Sequence, residues 1–171
     1  MADPRVLGLF AELRASRFAA LSGARIVAAI PIAERLLNDV LATWLPASAP
    51  VRNVSVAPLT GNRLKVTAKL ARPSFLPPVS ATLEIEQQPQ WPDTPLVLRV
   101  ISMPGLISLA GVMLPIDSML PPGIRFKDER FSLDLRTLLE RNGFAEVVPY
   151  VESVRVATDD GRLLLDVSVR V

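Results

Sequence analysis

Apolar and polar positions alternate along three long stretches of the chain. Residues 64–70, 79–86 and 163–171 place an aliphatic side chain at nearly every second position, with charged or hydroxyl side chains between them. Such a period of two predicts antiparallel strands with one buried face and one wet face. Turn-forming residues at 60–62 and 159–161 predict that the flanking strands pair as hairpins.

A helical period precedes both hairpins. Pro31–Leu45 carries one continuous apolar stripe, and proline suits the first turn of a helix. A second amphipathic helix is predicted for Asp134–Asn142. Residues 51–70 and 151–169 match in strand parity and in the position of the turn glycine, which indicates a helix-hairpin unit used twice. The alternative is a chance match, because alternating Val and Leu sequences resemble each other easily.

Length and composition favour one domain. The 171 residues, half of them hydrophobic, are enough for a single core, which we assign to residues 23–171. Residues 1–22 are predicted to form a loosely attached helical segment, with contact to a membrane surface as the alternative reading. No signal peptide is visible, so we predict a cytoplasmic location, peripheral to the inner face of the membrane.

The residue types present argue against an enzyme. The chain contains no histidine and no cysteine, which excludes disulfides, thiol nucleophiles, Ser-His-Asp triads and the usual zinc sites. The acidic pairs at 84/86 and 159/160 fit a wet strand face and a turn, and Asp117 fits a turn cap. We therefore predict a non-enzymatic protein with no catalytic residues, no metal and no cofactor.

The charge of the chain limits its partners. The formal net charge is +2, and the arginines are scattered among apolar positions instead of forming a basic run. Nucleic-acid binding requires a basic stripe, preferably with stacking aromatics, and aromatics are only 5% of the chain. We predict no nucleic-acid binding, whereas contact with anionic lipid headgroups is compatible with this charge.

Residues 101–120 are almost entirely apolar and carry Asp117 as their only charge. Pro104 and Pro115 interrupt the segment, and the stretch between them is too short to cross a bilayer. We predict a buried helix or a lid over an apolar interior.

Taken together, these elements predict an α+β fold in which a highly curved antiparallel sheet wraps around a long amphipathic helix. Their order resembles that of the TULIP (tubular lipid-binding) superfamily, and of its small bacterial single-unit members in particular. The residues that carry the resemblance are Ile30–Leu37, Val51–Leu70 and Val151–Val169, within a region of about residues 26–171. The resemblance implies a helix wrapped by the sheet and an apolar groove for acyl chains. The lipobox cysteine of exported members is missing.

The leading function is binding of a lipid or other hydrophobic ligand in an apolar groove between helix and sheet. The alternative is a scaffold protein with a filled core, whose segment 101–120 docks a protein partner; a homodimer is one form of this. The predicted wall of the groove consists of Leu37, Leu41, Trp44, Leu64, Val66, Leu83, Ile85, Leu98, Leu165 and Val167, with Leu106, Leu109 and Met113 near its mouth. The sequence does not separate such a groove from a filled core.

Overall fold

The computed structural model describes residues 19–44, 51–70, 78–103 and 120–171. Within these ranges the protein is mostly antiparallel β-sheet, with two short helices. No helix in the described ranges has the length and apolar character needed to cross a membrane.

The elements follow one another along the chain with short connections. They are a 3-10 turn at Ala19–Leu21, β1 (Arg25–Ala33), α1 (Glu34–Trp44), β2 (Val51–Leu59), β3 (Arg63–Leu70), β4 (Val79–Gln87), β5 (Leu96–Ser102), β6 (Ile124–Lys127), β7 (Arg130–Leu133), α2 (Leu135–Leu139), β8 (Val151–Asp159) and β9 (Arg162–Arg170). A wider helical turn at Glu140–Phe144 extends α2, and a 3-10 turn at Val148–Tyr150 leads into β8.

The strands form two antiparallel sheets. In the three-stranded sheet β9 lies between β1 and β8, and the six-stranded sheet has the order β2-β3-β4-β5-β7-β6. The hairpins β2–β3 and β8–β9 form where the sequence predicts them. Their turns contain Gly61 and Gly161 at φ angles of 75° and 68°, which glycine adopts at little cost.

The two sheets share one hydrophobic core. Leu64, Leu83 and Leu98 of the six-stranded sheet belong to the same buried cluster as Val154 and Val156 of the three-stranded sheet. Each sheet therefore provides the apolar layer that covers the other, as expected for two sheets with one apolar face each.

The ends of the two hairpins are joined by hydrogen bonds. The Gly161 N–H donates to the Pro58 carbonyl at 3.1 Å. The buried Thr158 hydroxyl donates to the Leu59 carbonyl at 2.6 Å, and its N–H donates to Asn62 Oδ1 at 3.3 Å. These bonds connect the first hairpin to the second and leave the hydroxyl of a buried threonine satisfied.

The predicted fold class is wrong at its centre, because no long helix is wrapped by a curved sheet. Strand β1 continues through Pro31 to Ala33, and α1 begins only at Glu34. Proline is tolerated here since β1 is an outer strand, where a missing N–H can face away from the partner strand. The remaining helix of 11 residues lies against β2, and the second sheet fills the position that the prediction gave to a helix.

Two outer strands are each covered by one side-chain amide. The Asn38 amide of α1 donates to the Val56 carbonyl at 3.0 Å and accepts from the Val56 N–H at 2.7 Å. The Gln88 amide does the same for Val156, at 2.7 Å and 2.9 Å. Each amide thus occupies backbone groups that a further strand would use, which protects an outer strand from unwanted pairing.

Two predicted segments fall mostly outside the described residues. Of the N-terminal helical segment 1–22, the structure describes the 3-10 turn at Ala19–Leu21 and the residue after it. Of the apolar segment 101–120, it describes residues 101–103 and 120.

Candidate functional site

The apolar side of the three-stranded sheet is only partly covered. This surface, the open face, consists of the inward-facing residues of β1 and β9, and it continues into the covered residues of β8. In register they are Ile26 beside Val169, Ala28 beside Val167, Ile30 beside Leu165 and Ile32 beside Leu163.

Exposure falls steeply across the open face. Ile30 of β1 pairs with Leu165 of β9, which pairs with Val156 of β8. The exposed fraction is 45% at Ile30 and 4% at Val156, two strand spacings or about 10 Å away. Ile26, at 46%, is exposed to the same degree as Ile30. The same apolar layer is therefore closed at β8 and open at β1.

Helix α1 adds a second apolar surface to this side of the molecule. It follows β1 directly, and the bonds between Asn38 and Val56 hold it against β2. Leu37 and Leu41 are half-buried, whereas Leu36 is 55% exposed. The helix thus has an apolar stripe that is packed on one side and open on the other.

The opposite side of the three-stranded sheet carries a polar cleft of about 630 Å³. One wall is the chain from Glu86 to Gln90, and the floor includes Val27, Ser153, Arg155, Asp166 and Ser168. Val27 is 72% exposed, so β1 has open apolar side chains on both of its faces.

A buried-edge ion cluster closes one end of this side of the sheet. The Glu152 carboxylate accepts hydrogen bonds or ion pairs from Arg25 Nε at 3.2 Å, Arg170 Nε at 2.6 Å and the Ser168 hydroxyl at 3.1 Å. These four residues belong to β1, β8 and β9. Because the carboxylate is fully engaged across all three strands, we assign it to holding the sheet together.

Titratable groups elsewhere in the described residues have structural partners. A hydrogen bond from Arg130 lowers the pKa of Glu86 on the solvent side of the six-stranded sheet. Partial burial raises the pKa of Asp134, but hydrogen bonds from the Thr137 N–H and hydroxyl outweigh it and leave this pKa below its ordinary value. No group of three or more acidic side chains with metal-site geometry occurs in the ranges that the structure describes.

The structure places the predicted wall residues in three different surroundings. Leu64, Leu83 and Leu98 are buried in the core, and Val66, Ile85 and Leu165 pack against that core. Val167 is half-buried on the open face, as Leu37 and Leu41 are on α1. The Trp44 side chain and residues Leu106, Leu109 and Met113 lie outside the described part of the chain. Contact of these residues with a ligand stays a prediction.

Sequence reasoning missed the two most open residues of this surface, Ile26 and Ile30. The available signal was the run from Ile26 to Ala33, which is apolar on both strand faces and contains no charge. A strand covered on both sides has this composition, and so does an outer strand that has an open apolar face. The sequence contains no feature that distinguishes the two.

No protein-family model, curated protein or solved structure significantly matches the chain. The resemblance to the tubular lipid-binding superfamily therefore stays a prediction, and the wrapped-helix fold that it implies is the part that the structure contradicts.

Proposed function

We propose that the protein binds a lipid or another hydrophobic ligand, with an acyl chain lying along the open face of β1 and β9. The observation that supports this proposal most is the row Ile30, Leu165 and Val156, in which one apolar layer changes from open to closed within two strands. Covering the open part would extend the existing core and remove apolar surface from water, which is favourable at about 25 cal/mol per Å².

The chemistry of the open face favours an acyl chain over a peptide. Its residues are aliphatic, and their side chains offer no hydrogen-bond donor or acceptor. A peptide laid on this face would bury backbone N–H and C=O groups without partners, which costs free energy for each group. An acyl chain has no such groups.

Native mass spectrometry of the freshly purified protein tests this proposal. The expected result is a mass increase that disappears after solvent extraction, with a fatty acid or phospholipid in the extract. A mass equal to that of the chain alone, unchanged after incubation with mixed liposomes, would contradict the proposal.

Matched variants of β1 locate the ligand. Ile30→Lys places a charge on the open face and is expected to lower the affinity for a fluorescent fatty acid at least tenfold. Val27→Lys places the same charge on the opposite face of the same strand and should leave the affinity unchanged. Both side chains are exposed, so neither change buries a charge. Equal loss in the two variants would remove the open face from the proposal.

A homodimer, a form of the interaction-protein alternative, is the second candidate, and the outer edge of β1 favours it. Among the described strands, β1 pairs with β9 alone, and its residues from Ile26 to Ala33 carry no charge. Long apolar strands with a free edge are known to pair with further strands, and a second copy would offer the same strand. Val27→Lys should then dissociate a dimer in sedimentation velocity, while ligand binding persists.

The predicted location, in the cytoplasm and peripheral to the inner face of the membrane, belongs to the same proposal. Cell fractionation with and without high salt tests it, because a peripheral protein should leave the membrane fraction when salt is added.

A further inference from the structure

The solvent side of the six-stranded sheet collects basic residues. All three lysines of the chain, Lys65, Lys69 and Lys127, lie on this side. We name it the basic face and define it by these lysines together with Arg63, Arg99, Arg125 and Arg130. It points away from the core residues Leu64 and Leu98, which alternate with the basic residues along β3 and β5.

Strand register brings several of these charges into one row. Arg63 pairs with Glu84, Glu84 with Arg99, Arg99 with Arg130, and Arg130 with Lys127. Three neighbouring positions at one end of the row are therefore cationic. Like charges directly opposite each other destabilise a sheet, so such a row needs compensation or an external partner.

Acidic side chains compensate only the middle of the row. Glu84 accepts from Arg99 at 2.9 Å, and Glu86 accepts from Arg130 at 2.6 Å. Among the described residues, Arg63, Lys65, Arg125 and Lys127 have no acidic partner within 4.0 Å, and all four are exposed. These four cations lie on β3 and β6, which are four strand spacings or about 19 Å apart.

An apolar side chain belongs to the same surface. Ile101 is 41% exposed and lies at the end of β5, where a register irregularity sets it between the pairs Leu83–Val100 and Thr82–Ser102. Its place in the alternation with Val100 puts it on the basic face. Exposed cations around an exposed aliphatic residue are typical of surfaces that rest on anionic bilayers.

We propose that the basic face docks on an anionic lipid bilayer. This inference deepens the proposed function by naming the surface and the lipid charge, and it rests on that function only for its biological sense. A broad face with cations at both margins matches the many headgroups of a bilayer. Nucleic acid fits less well, since the described part of this face has no stacking aromatic: Phe126 and Phe131 pack together on the core side.

Flotation with vesicles tests the inference in the intact protein. The chain is expected to float with vesicles of 30% phosphatidylserine and 70% phosphatidylcholine, and to stay behind with vesicles of phosphatidylcholine alone. The double variant Lys65→Gln/Lys127→Gln should lower the partition coefficient about 20-fold, since each cation near such a surface contributes about fivefold. Sodium chloride at high concentration should abolish binding of the unmodified chain.

The matched control is Arg141→Gln/Arg155→Gln, which removes two exposed positive charges outside the basic face. It should bind as the unmodified chain does. Equal loss in both double variants, equal binding to neutral vesicles, or tighter binding to a DNA duplex than to anionic vesicles would each overturn the inference. Fatty-acid affinity of Lys65→Gln/Lys127→Gln should stay unchanged, so that failure of docking and failure of ligand binding are separate results.

Discussion

The three-stranded sheet has two outer strands that differ in how they meet their surroundings. At β8, the Gln88 amide occupies the N–H and C=O of Val156, and the core covers its apolar face. At β1, no described side chain binds the strand's backbone in this way, and Ile26 and Ile30 are about half exposed. The chain therefore closes one edge with specific contacts and leaves the other open. Since open apolar edges are a liability for a folded protein, we attribute the difference to binding.

The largest expected effect comes from placing one charge on each side of the comparison. Val156→Lys buries an unpaired ammonium group and should destabilise the protein by more than about 3 kcal/mol, which is enough to unfold many domains. Ile30→Lys, in the same register row, should cost less than about 1 kcal/mol because its ammonium group remains in water. Urea denaturation followed by circular dichroism measures both. Similar losses would mean that the face at β1 is closed in solution.

A smaller effect is expected when the covered edge is opened. Gln88→Met keeps the length of the side chain but removes both hydrogen bonds to Val156, so the free energy of unfolding should fall by about 2 kcal/mol. Gln90→Met, two residues further on, is the control and should change it by less than about 0.5 kcal/mol. Sedimentation velocity adds a second readout: Gln88→Met should promote association through β8. A monomeric variant of unchanged stability would show that the amide does not protect this edge.

The smallest effect is expected in α2, remote from both edges. Asp134→Ala removes the helix cap and should cost about 1 kcal/mol at neutral pH. The pKa of Asp134 is lowered in the folded state, so its contribution is complete above the ordinary Asp value of about 3.9 and is lost as pH falls through the lower folded value. The difference between the two proteins should therefore shrink below about pH 4. Asp134→Asn keeps a capping side chain and should retain most of the stability at neutral pH. A difference that persists at low pH would contradict this assignment.

Sequence pattern predicts what is local in this fold and misses what is long-range. Alternation and turn residues predict both hairpins, because strand parity and the positive φ of Gly61 and Gly161 are local properties. Pro31 misled the prediction, since proline is equally acceptable at the first turn of a helix and on an outer strand. Only the pairing of β1 with β9, more than 130 residues later in the chain, decides between these environments.

The candidate site divides in the same way. The predicted wall residues are correctly apolar and inward-facing, yet Leu64, Leu83 and Leu98 belong to a filled core. Which apolar positions stay open depends on where the second sheet ends, and the sequence of a single strand does not contain that information. The contact between Gln88 and Val156 spans 68 residues and is invisible to any local pattern.

The three-stranded sheet also sets an order of events during synthesis. Its β1 partner, β9, emerges from the ribosome only after about 130 further residues, which takes on the order of ten seconds at ordinary elongation rates. The six-stranded sheet, contained within residues 51–133, can assemble during that interval. The nascent chain must therefore carry the apolar strand 25–33 without its partner, and trigger-type chaperones that hold short aliphatic segments are suited to cover it until the last hairpin arrives.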